Sequence, residues 1–304
     1  MTCDLTNPIF TDEAAAIAHY EADRWPHGVI CPLCGVADEA TKMGGKTQAG
    51  MFLCSACRGK FTVRTGTVFE RSHIPLHKWM MALHLMASSK KGISAHQLHR
   101  MLGITYKSAW FMAHRIREAM APASGDKLGG AGRVVEADET EISRSRKSKK
   151  RPRSRNKRFV SLVERGGHVR SAVLDGADSV GIRDAIWRHV HPESTLHTDG
   201  AQAYKYSHLR LVAKHESVDH DKAWTRPGES ETVHTNTAEG YFSIFKRGLV
   251  GTYQHIGEQH LPRYLAEFDF RQNSRARLGV SDAARAARIL KGAEGKRLTY
   301  RPAD

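Results

Sequence analysis

Three carboxylates fall in a pattern suited to phosphoryl-transfer chemistry. Asp138 ends the apolar run Arg133-Val-Val-Glu-Ala-Asp138, and Asp199 closes Ser194-Thr-Leu-His-Thr-Asp199 just before Gly200. Glu239 lies in Asn236-Thr-Ala-Glu239, where a helix-like stretch begins with Phe242, Phe245 and Leu249 on one face. Acids brought to one point repel, and divalent cations relieve that repulsion. Mg²⁺ (or Mn²⁺) suits such a cluster, because a hard ion prefers oxygen ligands and keeps waters for substrate phosphates. Two such ions, roughly 3.5–4 Å apart, stabilise the entering and leaving oxygens of an in-line displacement. Lys246 lies seven residues after Glu239, two helical turns on and on the same face, where it could meet a phosphate. Each residue also has an ordinary reading. Asp138 has Glu136, Glu139 and Glu141 beside it, any of which could face solvent, and Asp199-Gly200 is a common turn. Asn236 and Glu239 have the spacing of a capping box, and Lys246 could be a solvated lysine. It is the order of the three acids, at two strand ends and a helix start, that favours a metal site.

A second constellation is sulfur-based. Cys31-Pro-Leu-Cys34 and Cys54-Ser-Ala-Cys57 are two C-x-x-C knuckles, with Met51-Phe-Leu-Cys54 and Arg58-Gly59-Lys60-Phe61 forming a ribbon-like hairpin around the second. Four thiolates from two such turns make a tetrahedral site that zinc prefers. Such a Zn²⁺ is structural, because four protein ligands leave no open position. Trp25, Pro26 and Gly28 are expected beside the first knuckle, and the fifth cysteine, Cys3, is expected to be a free thiol.

The elements that must position these groups follow from periodicity and punctuation. The stretch FTDEAAAIAHYEAD suits a short N-terminal helix capped by Asp12. Trp79, Met80, Leu83, Met86 and Ala87 mark one face of a helix from about Pro75 to Ser88. Ser94 can cap a second helix with Leu98, Met101 and Leu102; after the turn Gly103-Ile104, Thr105 can cap a third with Trp110, Ala113, Ile116 and Met120. Helix, tight turn, helix is the outline of a helix-turn-helix, with Lys107, Arg115 and Arg117 off the apolar stripe as candidate DNA contacts. After the glycines at 125–132, the chain reads as a strand (133–138), a hairpin (159–163 and 168–174, turned at Gly166-Gly167), a helix (179–190), strands (194–199 and 211–218) and the helix of Glu239. The order is that of a ribonuclease-H-like domain, in which the first and fourth strand ends lie side by side and the last helix crosses near them. The expected fold class is therefore α/β: a mixed sheet flanked by helices, preceded by a zinc ribbon and a small helix-turn-helix-like module. The expected divisions are an N-terminal helix (1–24), zinc ribbon (25–70), helical module (71–124), catalytic domain (133–275) and C-terminal helical tail (276–304).

Charge names the partner. The 304 residues carry 47 Lys and Arg against 32 Asp and Glu, a formal +15, which draws polyanions. Ten of the fifteen residues at 144–158 are Lys or Arg, and Lys147, Lys150 and Arg151 are candidate DNA contacts there. No run approaches a membrane span and the N-terminus lacks a secretory pattern, so a cytoplasmic protein, bound to a bacterial nucleoid, is expected.

With these motifs in place, the chain resembles the bacterial DDE insertion-sequence transposases that carry an N-terminal zinc ribbon, the ISXO-type family related to the Merlin superfamily. The resemblance rests on the double C-x-x-C, on Glu136-Ala-Asp138-Glu-Thr140 and on His197-Thr-Asp199-Gly200. Most specific is His234-Thr-Asn-Thr-Ala-Glu239-Gly240, running on through Phe242-Ser-Ile-Phe-Lys246-Arg247-Gly248 to Gly251-Thr-Tyr253. It implies that Asp138, Asp199 and Glu239 are catalytic metal-binding acids with Lys246 beside them, and that Asn236, His234 and Arg247 are neighbours of the metals or of DNA. It further implies cleavage at the terminal inverted repeats of an element, attack of the freed 3′ hydroxyl on target DNA, and a dimer or larger assembly on DNA. A zinc-ribbon regulator without catalysis, or a nuclease that cuts and never joins, are the alternatives.

Overall fold

The computed structural model describes residues 4–45, 47–122, 125, 127–142, 157–174, 178–205, 211–229 and 231–299. Cys3 and the basic candidates Lys147, Lys150 and Arg151 lie outside them. The chain forms two compact units, one of Met1–Pro122 with Ala276–Asp304 and one of Ala123–Arg275.

The first unit begins with α1 (Glu13–Arg24), started by the Asp12 carboxylate accepting from the Ala15 N–H. A small antiparallel sheet follows, β1 (Ala40–Lys42), β2 (Phe52–Cys54) and β3 (Lys60–Phe61) in that order. Trp25 packs edge-on against both Phe52 and Phe61, seating the expected aromatic beside the cysteine knuckles. Next come α2 (Leu76–Ser88), α3 (Ala95–Leu102) and α4 (Tyr106–Met120). Ser94 and Thr105 cap α3 and α4 as expected, and Gly103 takes a left-handed conformation (φ 59°) between them. The expected face of α2 is buried throughout, from Trp79 to Ala87. On α3 only Leu98 and Leu102 enter the core, and Met101 points to solvent.

The second unit is built on a five-stranded mixed sheet. Its strands are β4 (Val134–Ile142), β5 (Lys157–Glu164), β6 (Val169–Leu174), β7 (Thr195–Asp199) and β8 (Lys214–Val218), ordered β6-β5-β4-β7-β8. β4, β5 and β6 are antiparallel neighbours, whereas β7 runs parallel to both β4 and β8. This is the sheet expected of the ribonuclease-H-like order. β4 runs four residues beyond the expected end at Asp138, because β5 continues to pair with it as far as Ile142↔Lys157. β8 begins at Lys214, later than the expected Leu211. α5 (Asp178–His189) and the single turn α6 (Gln202–Lys205) belong to one face of the sheet, over a core of Val135, Ala137, Leu162, Ile182, Ile186 and Leu196. α7 (Asn236–Gly248) and α8 (Leu261–Asn273) belong to the other, with Phe159, Phe242, Phe245 and Phe268 packed together. Buried Asp269 ties this layer down by accepting from the Tyr241 hydroxyl and from the Ser171 N–H and hydroxyl.

The chain then returns to the first unit. The expected tail carries α9 (Asp282–Lys291), which packs on α2 and α4 and buries Ile289 and Leu290. Among the described residues no helix is long and apolar enough to cross a membrane.

Candidate active site and metal centre

Strand register sets two of the acids side by side. β4 and β7 pair in parallel up to Ala137↔Thr198, so Asp138 and Asp199 are the next residues on neighbouring strands. Alternation along β4 sorts its acids, because successive side chains point to opposite faces of a sheet. Glu136 and Asp138 face α7, whereas Glu139 faces α6 and accepts from the Tyr204 hydroxyl. Glu141 pairs at the surface with Arg158 at 3.2 Å. Of the four neighbouring acids, Asp138 and Glu139 line an open cleft of about 490 Å³ with Glu239, Lys246 and Arg247 on its wall, and Asp138 is the one on the α7 face.

The electrostatics of that cleft are those of crowded acids. Burial first, and then the charges of Asp199, Glu139 and Glu239, together push the Asp138 carboxyl up to about 7. The Oδ1 of Asp138 accepts from the Glu139 N–H at 2.8 Å, and that of Asp199 from the Ala201 N–H at 3.1 Å. Glu239 keeps 43% of its side chain exposed, with the His220 Nε2 at 3.8 Å. Lys246 and Arg247 are exposed on the same helix, and Asn236 is exposed at its first residue. The three acids thus influence one another's charge without closing to ligand spacing, and their carboxylate oxygens are the donor type that divalent cations of oxygen-preferring chemistry take.

What holds α7 in place differs from the expectation. Asn236 and Glu239 form no capping box: the N-cap is Thr235, without a side-chain cap. Instead Glu136, fully buried on β4, takes the role from across the sheet. Its carboxylate accepts from the Thr237 N–H at 2.8 Å and the Ala238 N–H at 3.1 Å, the free donors of the helix start, and from the Thr237 hydroxyl at 2.9 Å. Arg165, from the β5–β6 turn, donates its Nε to the same carboxylate at 2.7 Å, and the His234 Nδ1 lies 3.2 Å away. Arg165 also donates to the carbonyls of Thr232 and His234 and lies beside the His197 Nδ1. Burial, and then the charge of Arg165, lower His197 to about 4, so its ring is neutral. The alternation of β4 is a signal for Glu136, which shares the face of Asp138; nothing in the sequence marks Arg165 as its partner.

The sulfur site closes fully. The four Sγ atoms of Cys31, Cys34, Cys54 and Cys57 all lie within 4.8 Å of one another, the one such ligand cluster among the described residues. Sγ separations of 3.8 Å for Cys31–Cys57 and 3.7 Å for Cys34–Cys54 match the edge of a tetrahedron with bonds of about 2.3 Å, the length of a zinc–thiolate bond.

The candidate DNA contacts divide. Lys107 is exposed on the first turn of α4. Arg115 and Arg117, expected off the apolar stripe, are instead buried, Arg117 to 2% exposure. Arg115 donates to the carbonyls of Val68 and Glu70 and packs over Phe111. The reason is that α4 is covered on more of its circumference than a single stripe, so its two arginines serve the fold.

Comparison with known proteins matches the two regions to two families. Residues 127–273 match the family described as the ISXO2-like transposase domain, and residues 11–60 match the transposase zinc-ribbon domain. An uncharacterized protein in the transposable element ISH50 of Halobacterium salinarum is 28% identical over 288 residues, spanning 86% of this chain and 92% of the relative.

Proposed function

We propose a division of labour for a chain that belongs to the ISXO2-like transposases and is a DNA transposase: Asp138, Asp199 and Glu239 hold its divalent cations, and Lys246 and Arg247 hold the DNA phosphates. The observation that carries this reading is the Asp138 carboxyl, raised to about 7 by burial and by Asp199 and Glu239 around an open cleft with lysine on its wall. When bound, two ions, Mg²⁺ or Mn²⁺, supply the positive charge that stabilises the entering and leaving oxygens. The protein's own part is placement. Asp138 gives up its proton as the site loads. Lys246, two turns along α7 from Glu239, sets a phosphate against the acids, and Asn236 faces the same DNA. Water then bonds to phosphorus as the bond to the 3′ oxygen breaks, leaving a 3′ hydroxyl and a 5′ phosphate. In the second step that hydroxyl attacks target DNA and displaces another 3′ oxygen.

Zinc in the four-cysteine site makes the ribbon a rigid reader, and with the start of α4 around Lys107 it recognises the element's terminal repeats. The basic run holding Lys147, Lys150 and Arg151 tracks DNA. Two copies pair two ends, in the cytoplasm of a prokaryotic host. The test is strand cleavage and joining on labelled DNA carrying the element's own ends, with Mg²⁺ or EDTA, beside Asp199→Asn. Metal-dependent joining that falls by about 10³-fold or more in the variant supports the reading. End binding with no cleavage in any metal would make the chain a regulator, and cutting without joining a nuclease.

A further inference from the structure

Beside His220, the neighbour of Glu239, lies an aromatic side chain left mostly in solvent. Trp224 follows β8 on the connection toward α7, and 68% of its surface is exposed. Lone exposed apolar residues are ordinary on a protein surface, so exposure alone carries nothing. Position distinguishes this one. Its ring lies 5.3 Å from the His220 ring, and the His220 Nε2 in turn lies 3.1 Å from the Thr235 hydroxyl and 3.8 Å from the Glu239 carboxylate. The exposed indole is therefore linked to an acid of the cleft through a single histidine ring. The His220 ring meets it at a tilt of 46°, and most of the indole remains open to solvent.

We propose that Trp224 is a stacking platform for an unpaired nucleobase beside the scissile phosphate. The inference rests on the assignment of Glu239 to the active site. DNA held at the cleft must expose one phosphate to the acids, and a base released from its stack there needs a flat apolar surface. Every base offers a π face, so a single indole serves without reading sequence. His220 is the positioning residue that fixes the indole relative to Glu239.

The test uses full-length protein and element ends carrying 2-aminopurine at each nucleotide around the cleavage point, with Trp224→Ala and Trp224→Phe. At one position the probe should brighten on binding to Trp224→Ala and stay quenched with wild type and Trp224→Phe. Joining should fall about tenfold in Trp224→Ala, the size of one base–aromatic stack, and less in Trp224→Phe. An abasic nucleotide at that position should erase the difference between wild type and Trp224→Ala. Asp199→Asn should keep the fluorescence signal while losing joining; if it joins normally, the acid assignment fails and the stacking result stands separately. Equal losses on intact and abasic ends, or emission unaffected by Trp224→Ala at every position, would overturn the proposal. So would a change in oligomeric state alone, which would make Trp224 an interface residue.

Discussion

The cysteine cluster of this chain and its proposed carboxylate site solve opposite problems. The cysteine cluster is closed: its four sulfurs already sit at tetrahedral spacing, on turns that the C-x-x-C motif dictates over a few residues. The carboxylate cluster is open, with acids from β4, β7 and α7 that repel one another and leave Asp138 holding a proton up to about pH 7. A closed site can be specified locally and contributes to folding. An open site leaves room for substrate, and the rest of the fold must hold its ligands against their repulsion. Here that work falls to Glu136 and Arg165, which fasten the start of α7 to the strand of Asp138.

The sharpest contrast is in what metal removal does. Stripping the cysteine site with a strong zinc chelator, or Cys54→Ser, should unfold the ribbon, since structural zinc contributes on the order of 10 kcal/mol in small zinc modules. Circular dichroism and limited proteolysis would show it, while the ribonuclease-H-like unit should survive mild EDTA with its melting temperature nearly unchanged. A ribbon that stays folded without zinc would erase the contrast.

Next in size is the fastening of the open site. Glu136→Gln leaves Arg165 without its buried partner, and a loss of about 3 kcal/mol of stability is expected. Melting by calorimetry should show it, together with weaker Mn²⁺ binding that excess Mn²⁺ restores. A melting temperature within a degree of wild type would mean that the network holds nothing in tension.

The smallest effect is the pH dependence of the metal-free protein. Asp138 binds its proton more tightly folded than unfolded, between the ordinary value of 3.8 and about 7. Its contribution to stability therefore falls as pH rises through that window and is most unfavourable above 7. Mg²⁺ should raise the melting temperature by several degrees more at pH 8 than at pH 6, and Asp138→Asn should abolish the difference. The same Mg²⁺ effect at both pH values would remove Asp138 from the site.

Legibility in the sequence follows the same division. The ribbon, the caps Asp12, Ser94 and Thr105, and the strand order around Asp138 and Asp199 are readable because each rests on local spacing or alternation. The buried state of Arg115 and Arg117 is not, because α4 is covered by partners distant in sequence: Arg115 meets the carbonyls of Val68 and Glu70, and α9 packs on the same helix. The Glu136–Arg165 pair is half legible: alternation places Glu136 beside Asp138, while Arg165 arrives from a turn with no motif of its own. His220 and Trp224 carry no signal, since only the folded chain brings them to Glu239.

The central claim is that the cleft acids, and not the cysteines, hold the ion that the chemistry uses. Fe²⁺ exchanged into the Mg²⁺ site of the zinc-loaded protein on an element end generates hydroxyl radicals that cut the backbone within a few ångströms of the ion. The account predicts cuts at three places, beside Asp138, Asp199 and Glu239, all lost in Asp199→Asn and all competed by Mg²⁺. Cuts elsewhere, or cuts that persist in the variant, would contradict it.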